Sequence, residues 1–169
     1  MILISPWSRV TTDGKQSPKN YHCWDAVALG LKNAGYEVVQ VSCKHEPEVA
    51  GCRRMNDLPL DALPDLVKTC DTWICVDNFW HHMAWTLGEP GVVIFGCSDP
   101  VIFGHPENTN LLKDRKYLRA RQFGLWSQEK SNPEMFVDPE VVIQAAITSV
   151  EKRKARRLRP FLINGNIKT

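Results

Sequence analysis

Residues 70–100 read CDTWICVDNFWHHMAWTLGEPGVVIFGCSDP. Two short apolar runs, TWICV and GVVIF, bracket a segment with helical character. Both runs are rich in β-branched and aromatic residues, and the unbroken VVIF fits a strand buried on both faces. Phe79–Leu87 reads as a helix that starts just past Asp77, nears its end at Gly88 and is stopped by Pro90. Asp77 is positioned to cap it through the N–H groups of Phe79 and Trp80. A strand, a helix and a second strand in this order form the repeating unit of a parallel sheet.

The same alternation extends upstream. Met1–Ser5 is a short apolar strand, followed by a turn-rich loop, PWSRVTTDGKQSPK. Trp24, Val27, Ala28 and Leu31 keep helical spacing within Tyr21–Ala34, with Gly35 as a C-cap, and Tyr36–Val41 reads as the next strand. After a variable segment through Pro59, Asp61 caps a short helix to Thr69, and Thr72–Val76 and Gly91–Phe95 complete four core strands. Downstream, Gly96–Asn110 reads as loop, Asn110–Gln122 as mixed, and Pro139–Arg157 as a final helix. The expected fold class is therefore α/β, a Rossmann-like parallel sheet flanked by helices. Residues 1–150 are expected to form a nucleotide-binding domain and 151–169 a basic C-terminal tail.

Composition narrows the function. The 169 residues carry 21 Lys+Arg against 19 Asp+Glu, a net charge of +2 that gives no general case for nucleic acid. The locally basic run Glu151–Arg159, EKRKARRLR, lacks aromatic interleaving and any recognisable nucleic-acid module. Six cysteines follow no secretory signal and include no CxxC pair at zinc spacing, so free thiols in a reducing cytoplasm are expected. No apolar run approaches the roughly 20 residues of a membrane span.

In an open parallel sheet, ligands sit beyond the carboxyl ends of the strands, where helix N-termini favour anions. Four loops occupy that position. The first offers Ser8, Arg9, Lys15 and Lys19 as donors suited to a diphosphate, although a solvated loop equally explains Arg9 and Lys15. Glu46 in the second is placed to accept ribose hydroxyls, with Glu48 as competitor and an exposed acid as the plain alternative. The third holds Asp77, Asn78, His81 and His82; adjacent helical side chains diverge by about 100°, so one histidine is expected to face the cleft and the other core or solvent. The fourth carries Asp99 and His105, candidates for a catalytic base or for turn-stabilising roles. There is no P-loop, GxGxxG, HExxH or nucleophile elbow, so no metal and no cofactor are expected.

Residues 70–100 resemble the nucleotide-sugar-binding half of the heptosyltransferase-like glycosyltransferases, family 9 of the GT-B fold. The match lies at Asp71, Ile74, Asp77, His82, Met83, Ala84, Gly88, Pro90, Gly96, Ser98, Asp99 and Pro100, in order and spacing. ISPWSR with PKNY, and VSCKHEPE, look like the family's phosphate and ribose segments, which brings about two thirds of the chain into the comparison. The family's Thr-Gly pair is Asn78–Phe79 here. The resemblance implies that Ser8 and Lys19 approach a diphosphate, Glu46 a ribose and His82 the phosphates, with an ADP-like donor. It also implies an acceptor domain that this chain lacks, so a partner chain or a homodimer would complete the site. The leading expectation is a nucleotide or nucleotide-sugar-binding domain of glycosyltransferase type. The alternative is a non-enzymatic homodimer that binds or sequesters a nucleotide, with Trp7 and Trp80 in the ligand loops placed to stack on a base.

Overall fold

The computed structural model describes residues 1–164, with side chains through Leu158. Six strands form one sheet: β1 (Ile2–Ser5), β2 (Val38–Ser42), β3 (Arg53–Asn56), β4 (Thr72–Val76), β5 (Val92–Phe95) and β6 (Thr109–Leu112), in the spatial order β3-β2-β1-β4-β5-β6. Every neighbouring pair is parallel; Ile2 is in register with Val38 on one side and Thr72 on the other. The four expected core strands are all present, with Tyr36–Val41 shifted to Val38–Ser42. Two edge strands are additional. β3 lies in the segment read as variable, and β6 lies across the expected boundary between loop and mixed segment.

Among the described residues, five α-helices complete the fold: α1 (Trp24–Asn33), α2 (Leu63–Thr69), α3 (Phe79–Thr86), α4 (Pro100–Phe103) and α5 (Pro139–Asn164). Alternate strand residues feed two cores. Ile2, Ile4, Ile74, Val76, Val92 and Ile94 pack under Trp24, Val27, Leu31, Val142 and Ala146 of α1 and α5. Leu3, Val39, Trp73, Cys75, Val93 and Phe95 pack under Leu63, Val67, Trp80 and Ala84 of α2 and α3. This period-two division explains the continuous apolar runs, because both faces are covered. Gly30 and Gly91 permit close approaches: a Cβ at Gly30 would lie 2.3 Å from Ile143 Cδ1, and one at Gly91 2.4 Å from the Trp73 ring.

The local structure departs from expectation in three places. Asn78, not Asp77, caps α3, its side chain accepting from Trp80 N at 2.9 Å. Asp61 lies in a 3-10 turn, Leu60–Ala62, ahead of α2, whose cap Ala62 supplies no side-chain bond. The stretch Gly96–Asn110 includes the short helix α4, capped by Asp99.

The expected boundary at residue 150 falls inside α5, with no break in the helix there. Buried Arg153 reaches Glu89 at 2.8 Å and Val67 O at 2.9 Å, Arg156 reaches Glu89 at 2.7 Å, and Arg157 donates to Cys70 O at 3.0 Å. These arginines clamp the helix to the bottom of the sheet. All six cysteines are free thiols. Among the described residues, no helix is long and apolar enough to cross a membrane.

Candidate functional site

The chain order turns back between β1 and β4, and a cleft of about 780 Å³ opens above the carboxyl ends of β1, β2 and β4 at that switch point. Ser8, Arg9, Lys19, Glu46, Asp77, Asn78 and His82 all line it, as do Trp7 and Trp80. Gln16, His45 and Asp57 also share the lining, with Leu58, Leu60 and Leu63 as an apolar wall. Gln16 and His45 lay in the expected ligand loops without being singled out, and Asp57, Leu58, Leu60 and Leu63 had no signal, because β3 was not expected. Asp57 adopts a left-handed φ of 51°.

Buried polar residues hold the loops in place. Gln40, fully buried in mid-strand, donates from Nε2 to Pro47 O and accepts from Val49 N, each at 2.8 Å. Trp7 Nε1 also donates to Pro47 O, at 2.9 Å, and Arg54 Nη2 donates to Glu46 O at 3.0 Å. Glu46 is thereby fixed at the rim, with Oε2 accepting from Cys43 N at 2.7 Å. Asn78 ties the first loop to α3: its Nδ2 donates to Ser5 O at 3.1 Å and to Trp7 O at 3.0 Å, while its oxygen caps the helix.

Charge concentrates around Asp77. Its buried carboxylate faces Lys19 Nζ at 3.2 Å and His81 Nε2 at 3.4 Å. Burial alone would raise its pKa, but His81 and then Lys19 outweigh that and leave it below the ordinary carboxylate value. Lys19 also sits 4.6 Å above the Trp126 ring, a position no spacing in sequence foretold. Arg9 is exposed and makes no ion pair among the described residues. The cleft lining therefore combines two cations, Arg9 and Lys19, and the start of α3 with the carboxylates of Glu46, Asp57 and Asp77.

The two adjacent histidines separate in burial as expected, though not in position. His81 is fully buried beside Asp77, and His82 is exposed at the cleft. Their rings nevertheless lie 3.8 Å apart, because rotation about the side-chain bonds brings them together at the first turn. His105 joins them, with Nε2 2.9 Å from His82 Nδ1. Desolvation of the His82 ring, followed by His81 and His105, lowers its pKa to about 4.

The remaining candidates fall outside the cleft lining, although His105 adjoins His82 at its edge. Lys15 is exposed and paired with Asp13 at 2.7 Å, and Glu48 is exposed, 3.8 Å from Arg54. Asp99 accepts from Arg115 Nη2 at 2.7 Å and from Val101 N at 3.0 Å. His105 lies flat against Trp85, ring centres 4.4 Å apart. Neither Asp99 nor His105 is part of the lining.

Comparison with known proteins gives this arrangement a context. The chain aligns over 90% or more of its length with solved structures that share its fold. E. coli ADP-heptose lipopolysaccharide heptosyltransferase II superposes with a TM-score of 0.66 at 18% identity, over 91% of this chain and 47% of that one. A family 9 glycosyltransferase from Veillonella parvula DSM 2008 gives 0.65 at 17% identity, over 90% and 46%. The dodecameric iron-containing heptosyltransferase TibC, solved with ADP-D-β-D-heptose, gives 0.54 at 16% identity, over 98% and 47%. This chain thus spans about half the length of the solved relatives it matches. No curated protein matches its sequence. A family model does, that of glycosyltransferase family 9 (heptosyltransferase), over residues 1–134, and the chain belongs to that family.

Proposed function

We propose that the cleft binds a nucleoside diphosphate or its sugar conjugate, in the manner of a glycosyltransferase donor site. The observation that carries this reading is that Lys19, Arg9, His82, the start of α3 and Glu46 all line the one cleft. Cations and a helix N-terminus suit phosphate oxygens, and a carboxylate suits ribose hydroxyls. Val41, Leu58, Leu60 and Leu63 offer an apolar surface for a base, with Trp7 available for stacking. An ADP-like ligand is favoured by family membership and by the ADP-heptose of TibC.

Glycosyl transfer would break the bond between the sugar carbon and the diphosphate oxygen. The diphosphate leaves with the bonding electrons, stabilised by Lys19 and Arg9, while the acceptor hydroxyl forms the new bond and gives its proton to a base. Positioning the acceptor requires a second surface. The chain spans about half the length of its relatives, and the second surface is proposed to come from beyond these residues: from more of the same polypeptide, a second copy or another chain. Free thiols fit a reducing compartment, and we place the protein in the cytoplasm.

One observation favours a second reading, a nucleotide-binding homodimer without turnover: the two candidate bases, Asp99 and His105, do not line the cleft. Turnover assays across sugar nucleotides, run beside calorimetry with the same ligands, separate the two. Turnover supports the transferase; saturable binding without turnover supports the binder. Absence of binding by any nucleoside diphosphate contradicts both.

A further inference from the structure

His81 and His82 stand in the first turn of α3, and His105 in the turn after α4. One ring nitrogen from each lies within 4.8 Å of the other two. The rings are braced from outside. His81 Nε2 faces Asp77, which Lys19 holds in turn, and His105 is stacked on Trp85 with an interplanar angle of 4°. Trp85 is fixed by its Nε1 donating to Glu107 at 3.0 Å, and the His105 carbonyl accepts from Asn110 Nδ2 at 3.0 Å.

A hydrogen bond between His82 and His105 accounts for two of the rings and leaves the third unexplained. His81 is fully buried, and its Nδ1 has no hydrogen-bond partner. A buried nitrogen left unpaired is costly, and such an atom calls for a partner of its own. With Nε2 engaged by Asp77, Nδ1 is the nitrogen of His81 left to accept one.

We propose that His81, His82 and His105 form a three-imidazole site for a divalent transition-metal ion. Imidazole suits zinc, cobalt, nickel and copper, whereas magnesium and calcium seek the oxygen ligands that this cluster lacks. Asp77 behind His81 supplies the carboxylate that orients a ligating imidazole and fixes its tautomer. The 2.9 Å between His82 and His105 nitrogens is compatible with two ligands of one ion bonded at about 2.0–2.1 Å each. Three protein ligands leave a further position open, and the exposure of His82 turns it toward the cleft.

The expectation that no metal site exists rested on spacing within one helix. Spacing of that kind does not register His105, which reaches His82 from a loop 23 residues further along the chain. The proposal stands apart from nucleotide binding, since it needs no ligand but the ion.

The test is titration of the chelator-stripped protein with Co²⁺ alone, followed by visible d–d absorption and by equilibrium dialysis. The expected result is one ion per chain, displaced by Zn²⁺ with loss of colour. His82→Ala and His105→Ala, both at positions outside the core, should each weaken Co²⁺ binding at least about tenfold and leave the thermal midpoint in place. No saturable binding, or binding of undiminished strength in both variants, overturns the proposal. So does an intense thiolate charge-transfer band, which would put the ion on cysteine.

Discussion

The loops leaving β1, β2 and β4 carry much the same polar chemistry as the loop leaving β5, yet the two regions use it in opposite ways. Around β5, Asp99 and Gln122 are consumed internally. Asp99 accepts from both Arg115 and Val101, its own N–H donates to Gln122 Oε1 at 2.9 Å, and Gln122 returns to Arg119 O at 2.7 Å. Around the cleft, Arg9 makes no ion pair among the described residues, Lys19 has a single carboxylate partner, and the backbone scaffolding is done by Gln40 and Asn78 instead. A motif match such as Ser98-Asp99-Pro100 therefore marks a turn that builds the fold, and the groups available to a ligand are those that scaffolding has left over.

The largest effect that sharpens this contrast belongs to His81. In His81→Ala, truncating a fully buried ring that faces a buried carboxylate is expected to cost about 3 kcal/mol of stability. Chemical denaturation measures it, and a loss below about 1 kcal/mol would mean that the Asp77 pocket does not depend on the imidazole.

Lys19→Ala follows. The lost charge-assisted contact should weaken binding of a nucleoside diphosphate by about 2 kcal/mol, roughly thirtyfold, and leave the nucleoside almost unaffected. Calorimetry with both ligands on folded variant checks this. Equal losses for the two would take Lys19 away from the phosphates and break the distinction between the regions.

Asp99→Ala tests the other region. Loss of a helix cap and of a partly exposed Arg115 pair should lower stability by about 1.5 kcal/mol with nucleotide affinity unchanged. A loss of affinity comparable to that of Lys19→Ala would return Asp99 to the site.

The smallest effect is a pH dependence. His82 has a folded pKa of about 4 against an ordinary 6.5, so the unfolded chain binds its proton first. Its contribution to stability is present above about pH 6.5 and is lost as pH falls from there toward 4. Thermal melts across that window should show a shallower decline in His82→Ala than in the parent.

Much of the fold was legible because parallel strands covered on both faces are written as apolar runs. β1, β2, β4 and β5, with α1 and α3 between them, appear in sequence almost where they stand in space. β3, RRMN, was not legible, and neither was β6, TNLL: each pairs along only one edge and is half-exposed, so neither carries the signature. The cleft residues nearest strand ends were found by topology, whereas Trp126 over Lys19 and His105 beside His82 depend on long-range packing. Asp77 and Asn78 were both suited to cap α3. What decided between them was tertiary, since Lys19 and His81 hold the carboxylate elsewhere. The basic run after residue 150 looked like a solvated tail because its partners, Glu89 and the carbonyls of Val67 and Cys70, lie more than sixty residues away.

The central claim, that the cleft recognises the diphosphate of a nucleotide, is tested most directly by calorimetric titration of the chelator-treated chain with ADP and with adenosine at low and high salt. The account predicts saturable ADP binding that weakens as salt rises and exceeds adenosine binding by at least about tenfold, the share assigned to charge-assisted phosphate contacts. No ADP binding, or equal binding of ADP and adenosine, would contradict it.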